Sequence, residues 1–263
     1  MKYNNDKLKK MIKKRIDEQA SDLPIYYAVS GSHLYGFPSS PEVGGDIDVR
    51  GFHMTPPSRY LKLDQPQVRY QINQRGVSDG FEEWCDAELV SYELRKFTQH
   101  VYNSNFNVIE WLTADPIYGF NSEISGLWDI INRYLPMDMA SGYIGLARSN
   151  HQSNYDDQPT AKHCLYALRG LLAALYVTRS GAVEPDITKL TTWYGDYDSL
   201  VSNLIEAKQT GENATLDSDL HNWYIMTYRN LIEEAEDAKI KFQNNARNEL
   251  KNDLNGWMMK YRQ

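Results

Sequence analysis

Residues 29–51 hold the side chains of this chain best suited to chemistry. A Gly-Ser pair (Gly31, Ser32) ends an apolar run and, after thirteen intervening residues, Asp46 and Asp48 flank one isoleucine. A strand puts residues i and i+2 on one face, so the two carboxylates are expected side by side. Such a pair repels by roughly 4 kcal/mol at about 4 Å and an effective dielectric near 20. A chain that had only to fold would gain little from that. Holding a divalent cation against a triphosphate requires it, because Mg²⁺ takes oxygen ligands and commonly bridges carboxylates to phosphates. A pair pointing away from the cleft, or engaged only by protein cations with no room for a metal, would count against such a site.

The chain supplies its own controls. Asp-x-Asp occurs three times, at 46–48, 196–198 and 217–219. The second and third precede amphipathic patterns and read as helix N-terminal acids favoured by the macrodipole. The first alone has a β-branched residue between the acids and another after them, the composition of a strand.

The elements that must position these residues follow from hydrophobic periodicity. A basic amphipathic helix opens the chain, with Lys7, Lys9, Lys10, Lys13, Lys14 and Arg15 around Leu8, Met11 and Ile12. It reads either as a solvated face docked by its apolar stripe or as a surface for RNA phosphates. Residues 24–31 then read as a strand, 33–45 as a loop and 46–54 as a second strand closed by Pro56 and Pro57. Residues 64–80 suggest a hairpin or loop, 85–92 a third strand, and 93–102 and 107–112 helices, with Leu94, Phe97 and Val101 on one face. From about Asp115 helical patterns take over, at 122–134, 138–154, 160–180, 197–208, 219–245 and 246–261. The expected organisation is an α/β catalytic domain over residues 1–115 and a helical domain over 116–263 that closes its cleft.

The whole chain narrows the function classes. Its 263 residues can bury a sizeable core, and 19 tyrosines and 6 tryptophans argue for a packed globule. The N-terminus lacks a signal peptide's apolar segment, and no apolar run approaches the ~18 residues of a membrane span. Two cysteines, Cys85 and Cys164, make no disulfide framework, and the expected setting is cytoplasmic with reduced thiols. The net charge of −7 argues against non-specific coating of nucleic acid. The six histidines show no zinc-ligand spacing, and Ser32-His33 cannot make a nucleophile–base pair by adjacency.

The strand, Gly-Ser pair and Asp-apolar-Asp-apolar strand resemble the core motif of the DNA polymerase β-like nucleotidyltransferase superfamily. That resemblance implies an α+β fold: a nucleotidyltransferase core with a mixed sheet, followed by a C-terminal helical domain. It also implies Gly31 and Ser32 at the phosphates of a nucleoside triphosphate, and Asp46 and Asp48 at two Mg²⁺ ions, with Mn²⁺ as a substitute. A third acid belongs on the strand before Tyr92-Glu-Leu-Arg-Lys-Phe97. Asp86 and Glu88 both qualify, and Glu88, four residues before Tyr92, stands where the family's acid usually falls.

A narrower resemblance covers roughly residues 25–180. Gly-Ser-His-Leu-Tyr-Gly (31–36), Asp-Ile-Asp-Val-Arg-Gly (46–51) and Tyr-Glu-Leu-Arg-Lys-Phe (92–97) stand in the order seen in the RlaP/YcgL group of nucleotidyltransferases. So do Asn-Val-Ile-Glu-Trp-Leu (107–112), Gly-Tyr-Ile-Gly-Leu-Ala (142–147) and Lys-His-Cys-Leu-Tyr-Ala-Leu-Arg (162–169). That group is associated with RNA repair in bacteria and phages. The loop at 39–45 is longer than the family's Ser-Asp-x-Asp form.

The resemblance implies transfer of a nucleoside monophosphate to an RNA acceptor such as a broken tRNA, with release of pyrophosphate. Rival readings are a protein hydroxyl or small molecule as acceptor, or an inactive NTP- or RNA-binding module. Lys162 and Arg169, two helical turns apart, read either as cations for the β- and γ-phosphates or as solvated helix positions. Arg50 reads as a contact for phosphate or, in preference, as a structural partner of Asp46 or Asp48, and Tyr35 as core or as a neighbour of the base.

Overall fold

The computed structural model describes residues 23–39, 46–64, 66, 69–74, 86–119, 121–134, 136–156, 159–211, 213–240 and 246–261, with Lys10 and Lys14. The rest of the basic helix at 7–15, Cys85 and loop residues 40–45 lie outside the described residues. Strands β1 (Leu23–Ser30), β2 (Asp46–Met54), β3 (Arg69–Gln74), β4 (Asp86–Glu93) and β5 (Pro116–Tyr118) form one sheet in the order β3-β4-β2-β1-β5. β2 and β4 run parallel and the other neighbours antiparallel, so the sheet is mixed. The longer helices among the described residues are α1 (Leu94–Tyr102), α2 (Phe106–Glu110), α3 (Asn121–Tyr134), α4 (Pro136–Asp156), α5 (Ala161–Ser180), α6 (Ile187–Tyr194), α7 (Asp198–Gln209), α8 (Ser218–Ile240) and α9 (Arg247–Met259). The fold is α+β, a mixed sheet with its helices followed by a helical region, as the resemblance implied.

The chain divides into two compact units. One takes residues 1–31, 44–131 and 246–263, and the other 32–43 and 132–245. The boundary expected at 115/116 follows the change from strand to helix patterning, whereas packing follows side chains. α9 belongs with the sheet because Trp257 meets Phe52 edge-on at 6.3 Å. Phe52 also stacks on Phe97 of α1 at 4.0 Å and on Tyr26 of β1 at 5.9 Å, and all three rings are fully buried. α1 starts where Glu93 turns its carboxylate back to accept the Arg95 N–H at 2.7 Å, a side-chain N-cap that ends β4. Its Leu94, Phe97 and Val101 face the core, as their spacing requires.

The second unit is built around α5, whose apolar residues are buried on nearly every side. α4 comes against it closely enough that a Cβ on Gly170 would stand 2.8 Å from the Tyr143 carbonyl oxygen. The segment after Gly31 packs here. Tyr35 and Phe37 set their rings edge-on to Tyr166, Ile187 donates its N–H to the Tyr35 carbonyl at 3.0 Å, and Lys208 reaches Ser39 Oγ at 2.6 Å. The two control Asp-x-Asp motifs sit where expected. Asp198 opens α7, and Asp217 accepts the Leu220 N–H at 2.8 Å at the start of α8.

Candidate active site

The parallel register of β2 and β4 sets Asp46 opposite Asp86 and Asp48 opposite Glu88. Two acids forty residues apart in sequence thereby become lateral neighbours, and the alternation of the strands places all four positions on one face. The side chains of Asp46 and Asp86 lie outside what is described. Those of Asp48 and Glu88 are bridged by one guanidinium. Arg50 Nη2 donates to Asp48 Oδ1 at 2.6 Å and to Glu88 Oε2 at 2.5 Å, while Nη1 donates to the Glu88 and Val49 carbonyls at 3.1 and 3.2 Å. Gln71 of β3 donates to Glu88 Oε1 at 2.6 Å. The three charged side chains are 16–28% exposed, so solvent reaches the cluster.

β1 contributes the other wall. Ser30 pairs with Asp48, and the chain then turns through Gly31 at φ +62° into a single 3₁₀ turn over Gly31–His33. A Cβ on Gly31 would lie 1.9 Å from Asp48 Oδ2. Glycine is needed there twice, for its left-handed backbone and for the space given to the carboxylate. The backbone at Gly31 therefore lies directly against Asp48.

The donor set suits a hard divalent cation in kind, since Asp48 and Glu88 offer carboxylate oxygens from adjacent strands beside a backbone cradle that a Cβ would fill. Among the described residues no group of three or more His, Cys, Asp or Glu side chains is arranged to hold a metal ion. Arg50 occupies the space between the two carboxylates, and a cation taking Asp48 Oδ1 and Glu88 Oε2 competes with it.

The remaining candidates belong to the second unit. Ser32 accepts the Phe37 N–H at its carbonyl, 3.0 Å away, within the turn. Lys162 is half-buried in the first turn of α5. Arg169 is fully buried, and its guanidinium lies 3.8 Å from the centroid of the Tyr35 ring, so it is not a solvated helix position. Tyr35 is core. Gln71 went unnoticed in the sequence, although Arg69-Tyr-Gln-Ile-Asn-Gln74 alternates polar and apolar residues as an edge strand does. Cys164 is buried, and no helix among the described residues is long and apolar enough to cross a membrane.

The mixed sheet followed by a helical region is consistent with the fold of a polymerase β-like nucleotidyltransferase. The chain belongs to the RlaP family, described as an RNA repair pathway DNA polymerase beta family, whose model matches residues 5–260. That match extends the resemblance through the last eighty residues, beyond the limit near residue 180 that the motifs alone had set. The chain is 27% identical to the uncharacterized protein YcgL of Bacillus subtilis (strain 168) over 237 residues, 86% of each chain. It is 25% identical to the uncharacterized protein MJ0002 of Methanocaldococcus jannaschii over 191 residues, 71% of this chain and 73% of that one. Family membership suggests a nucleotidyltransferase-type role in RNA repair.

Proposed function

We propose that this protein transfers a nucleoside monophosphate from an NTP to the 3′-hydroxyl of an RNA, such as a broken tRNA, and releases pyrophosphate. The observation that carries the reading is the pairing of Asp48 with Glu88 on neighbouring parallel strands, against the Gly31 backbone. Asp46 and Asp48 are the proposed metal ligands, with Glu88 or Asp86 as the third carboxylate. Bound Mg²⁺, or Mn²⁺ in its place, neutralises triphosphate charge and makes the acceptor hydroxyl more acidic.

The chain's own residues do the rest by positioning. Gly31 and Ser32 present backbone N–H and hydroxyl groups to phosphate oxygens, and Lys162 adds positive charge for the leaving pyrophosphate. Arg169 holds Tyr35 and with it the segment that follows Ser32. The third carboxylate accepts the proton of the attacking hydroxyl. The acceptor oxygen bonds to the α-phosphorus as the bond from that phosphorus to the β-phosphate's bridging oxygen breaks. The acidic balance of the chain suits a protein or small-molecule acceptor as the second reading.

The test is incubation with each radiolabelled NTP, Mg²⁺ and a panel of cleaved tRNA, total protein and small acceptors. Label in RNA that disappears in the Asp46→Ala, Asp48→Ala double variant, with circular dichroism unchanged, supports the proposal. Label in protein or a small acceptor overturns the choice of acceptor, and no label overturns the activity.

A further inference from the structure

We propose that Arg50 is the resident counter-cation of the carboxylate site and that it makes metal binding depend on nucleotide. The inference rests on the reading of Asp48 and Glu88 as metal ligands and goes beyond it to how that site is controlled. One nitrogen of Arg50 meets an oxygen of each acid, at 2.6 and 2.5 Å. The other is tied to two main-chain carbonyls, Glu88 and Val49, at 3.1 and 3.2 Å. The guanidinium is thus fastened to the backbone of both strands and aimed at the two oxygens that a cation would use.

An arginine set only to hold the sheet together needs the carbonyl contacts alone. Its second contact set neutralises a pair of like charges that the register has forced together. A divalent ion arriving alone must displace two charge-assisted hydrogen bonds and leaves the guanidinium without an anion. An ion arriving with a triphosphate brings anionic oxygens with which the released Nη2 can pair. Arg50 therefore weakens the site for free metal and less so for the metal–nucleotide complex. Glu88 stays placed throughout, because Gln71 holds its other oxygen at 2.6 Å.

The test is titration of the full-length, nucleotide-free protein with Mn²⁺, read by calorimetry and by the loss of free Mn²⁺ signal in electron paramagnetic resonance. Arg50→Gln should bind Mn²⁺ at least about tenfold more tightly than wild type, a change of about 1.4 kcal/mol. Adding a non-hydrolysable ATP analogue should improve Mn²⁺ affinity more in wild type than in Arg50→Gln. Arg50→Lys keeps the charge and loses the planar fork, and its affinity should fall between the two. That variant reads the same effect should Arg50→Gln fail to fold. Asp48→Asn in the Arg50→Lys background should remove the gain.

Binding by wild type that is equal or tighter than in both Arg50 variants overturns the role of Arg50 and leaves the metal reading intact. Absence of Mn²⁺ binding in every protein, with and without the analogue, overturns both.

Discussion

Replacing Gly31 by alanine perturbs the site through one methyl group whose cost can be divided into parts. The left-handed backbone at φ +62° costs an L-residue roughly 1–2 kcal/mol. The new Cβ would also lie 1.9 Å from Asp48 Oδ2, so the carboxylate must withdraw by about 1 Å to reach the 3.0 Å that real contacts respect. Withdrawal loosens the 2.6 Å bond from Asp48 to Arg50, a partly exposed ion pair worth about 1 kcal/mol or less. Urea unfolding should therefore show Gly31→Ala less stable by about 2–3 kcal/mol, the backbone and ion-pair costs together.

Asp48→Ala removes the carboxylate and leaves a Cβ 3.1 Å from the new methyl, which a shift of a few tenths of an ångström relieves, so in that background the same change should cost little beyond the backbone share, roughly 1–2 kcal/mol. The coupling, about 1 kcal/mol, exceeds the ~0.5 kcal/mol within which unrelated sites add. In the wild-type background nucleotidyl transfer should fall by about 10²-fold, the usual consequence of moving a reacting group by 1 Å. An equal stability loss in both backgrounds would refute the placement of Asp48 against the Gly31 backbone.

Three further outcomes follow from the packing and the titrating groups. Phe52→Ala removes the ring between Tyr26, Phe97 and Trp257 and should cost about 3–5 kcal/mol in urea unfolding, with a smaller loss sinking its central place in the core. Arg169→Met should destabilise by about 2 kcal/mol or more by losing its face-on contact with Tyr35. Arg169→Lys should restore little, since an ammonium cannot lie flat on the ring, and full recovery would refute that contact. Burial, then His221 and Arg229, holds the His151 imidazole below its ordinary 6.5. Above that value both folded and unfolded chains are neutral there, and as pH falls below it the unfolded chain takes the proton first, so stability declines. Urea midpoints measured at about pH 7.5 and about pH 5.5 should drop less in His151→Gln than in wild type, and an equal drop would remove His151 from the account.

The strand placement of the candidate acids was legible because composition separated Asp46-Ile-Asp48 from two helix-terminal look-alikes, and the structure puts each of the three on its expected element. Pairing Arg50 with Asp48 was also readable, from i and i+2 on one strand. Its second bond, to Glu88, was not, because it depends on the parallel register of two strands that only the assembled sheet fixes. β5 escaped notice because three residues opening on proline carry no alternation. α6 escaped because its eight residues mix Thr, Trp and Tyr. Ile187, Leu190 and Thr191 are the residues that bury there, while Asp186 supplies its N-cap. The boundary at 115/116 tracked local patterning, and no local pattern announces that Trp257 will pack on Phe52.

That last contact has a bearing on how a ribosome delivers this protein. Phe52 and Trp257 are separated by about 200 codons, which at about 5–20 residues per second is tens of seconds of translation. The strands bearing Asp48 and Glu88 emerge early, yet the indole that completes their apolar backing comes only after the whole helical unit has been made. A nascent chain therefore carries paired acids on an unfinished support, and the core behind them is completed late, with α9.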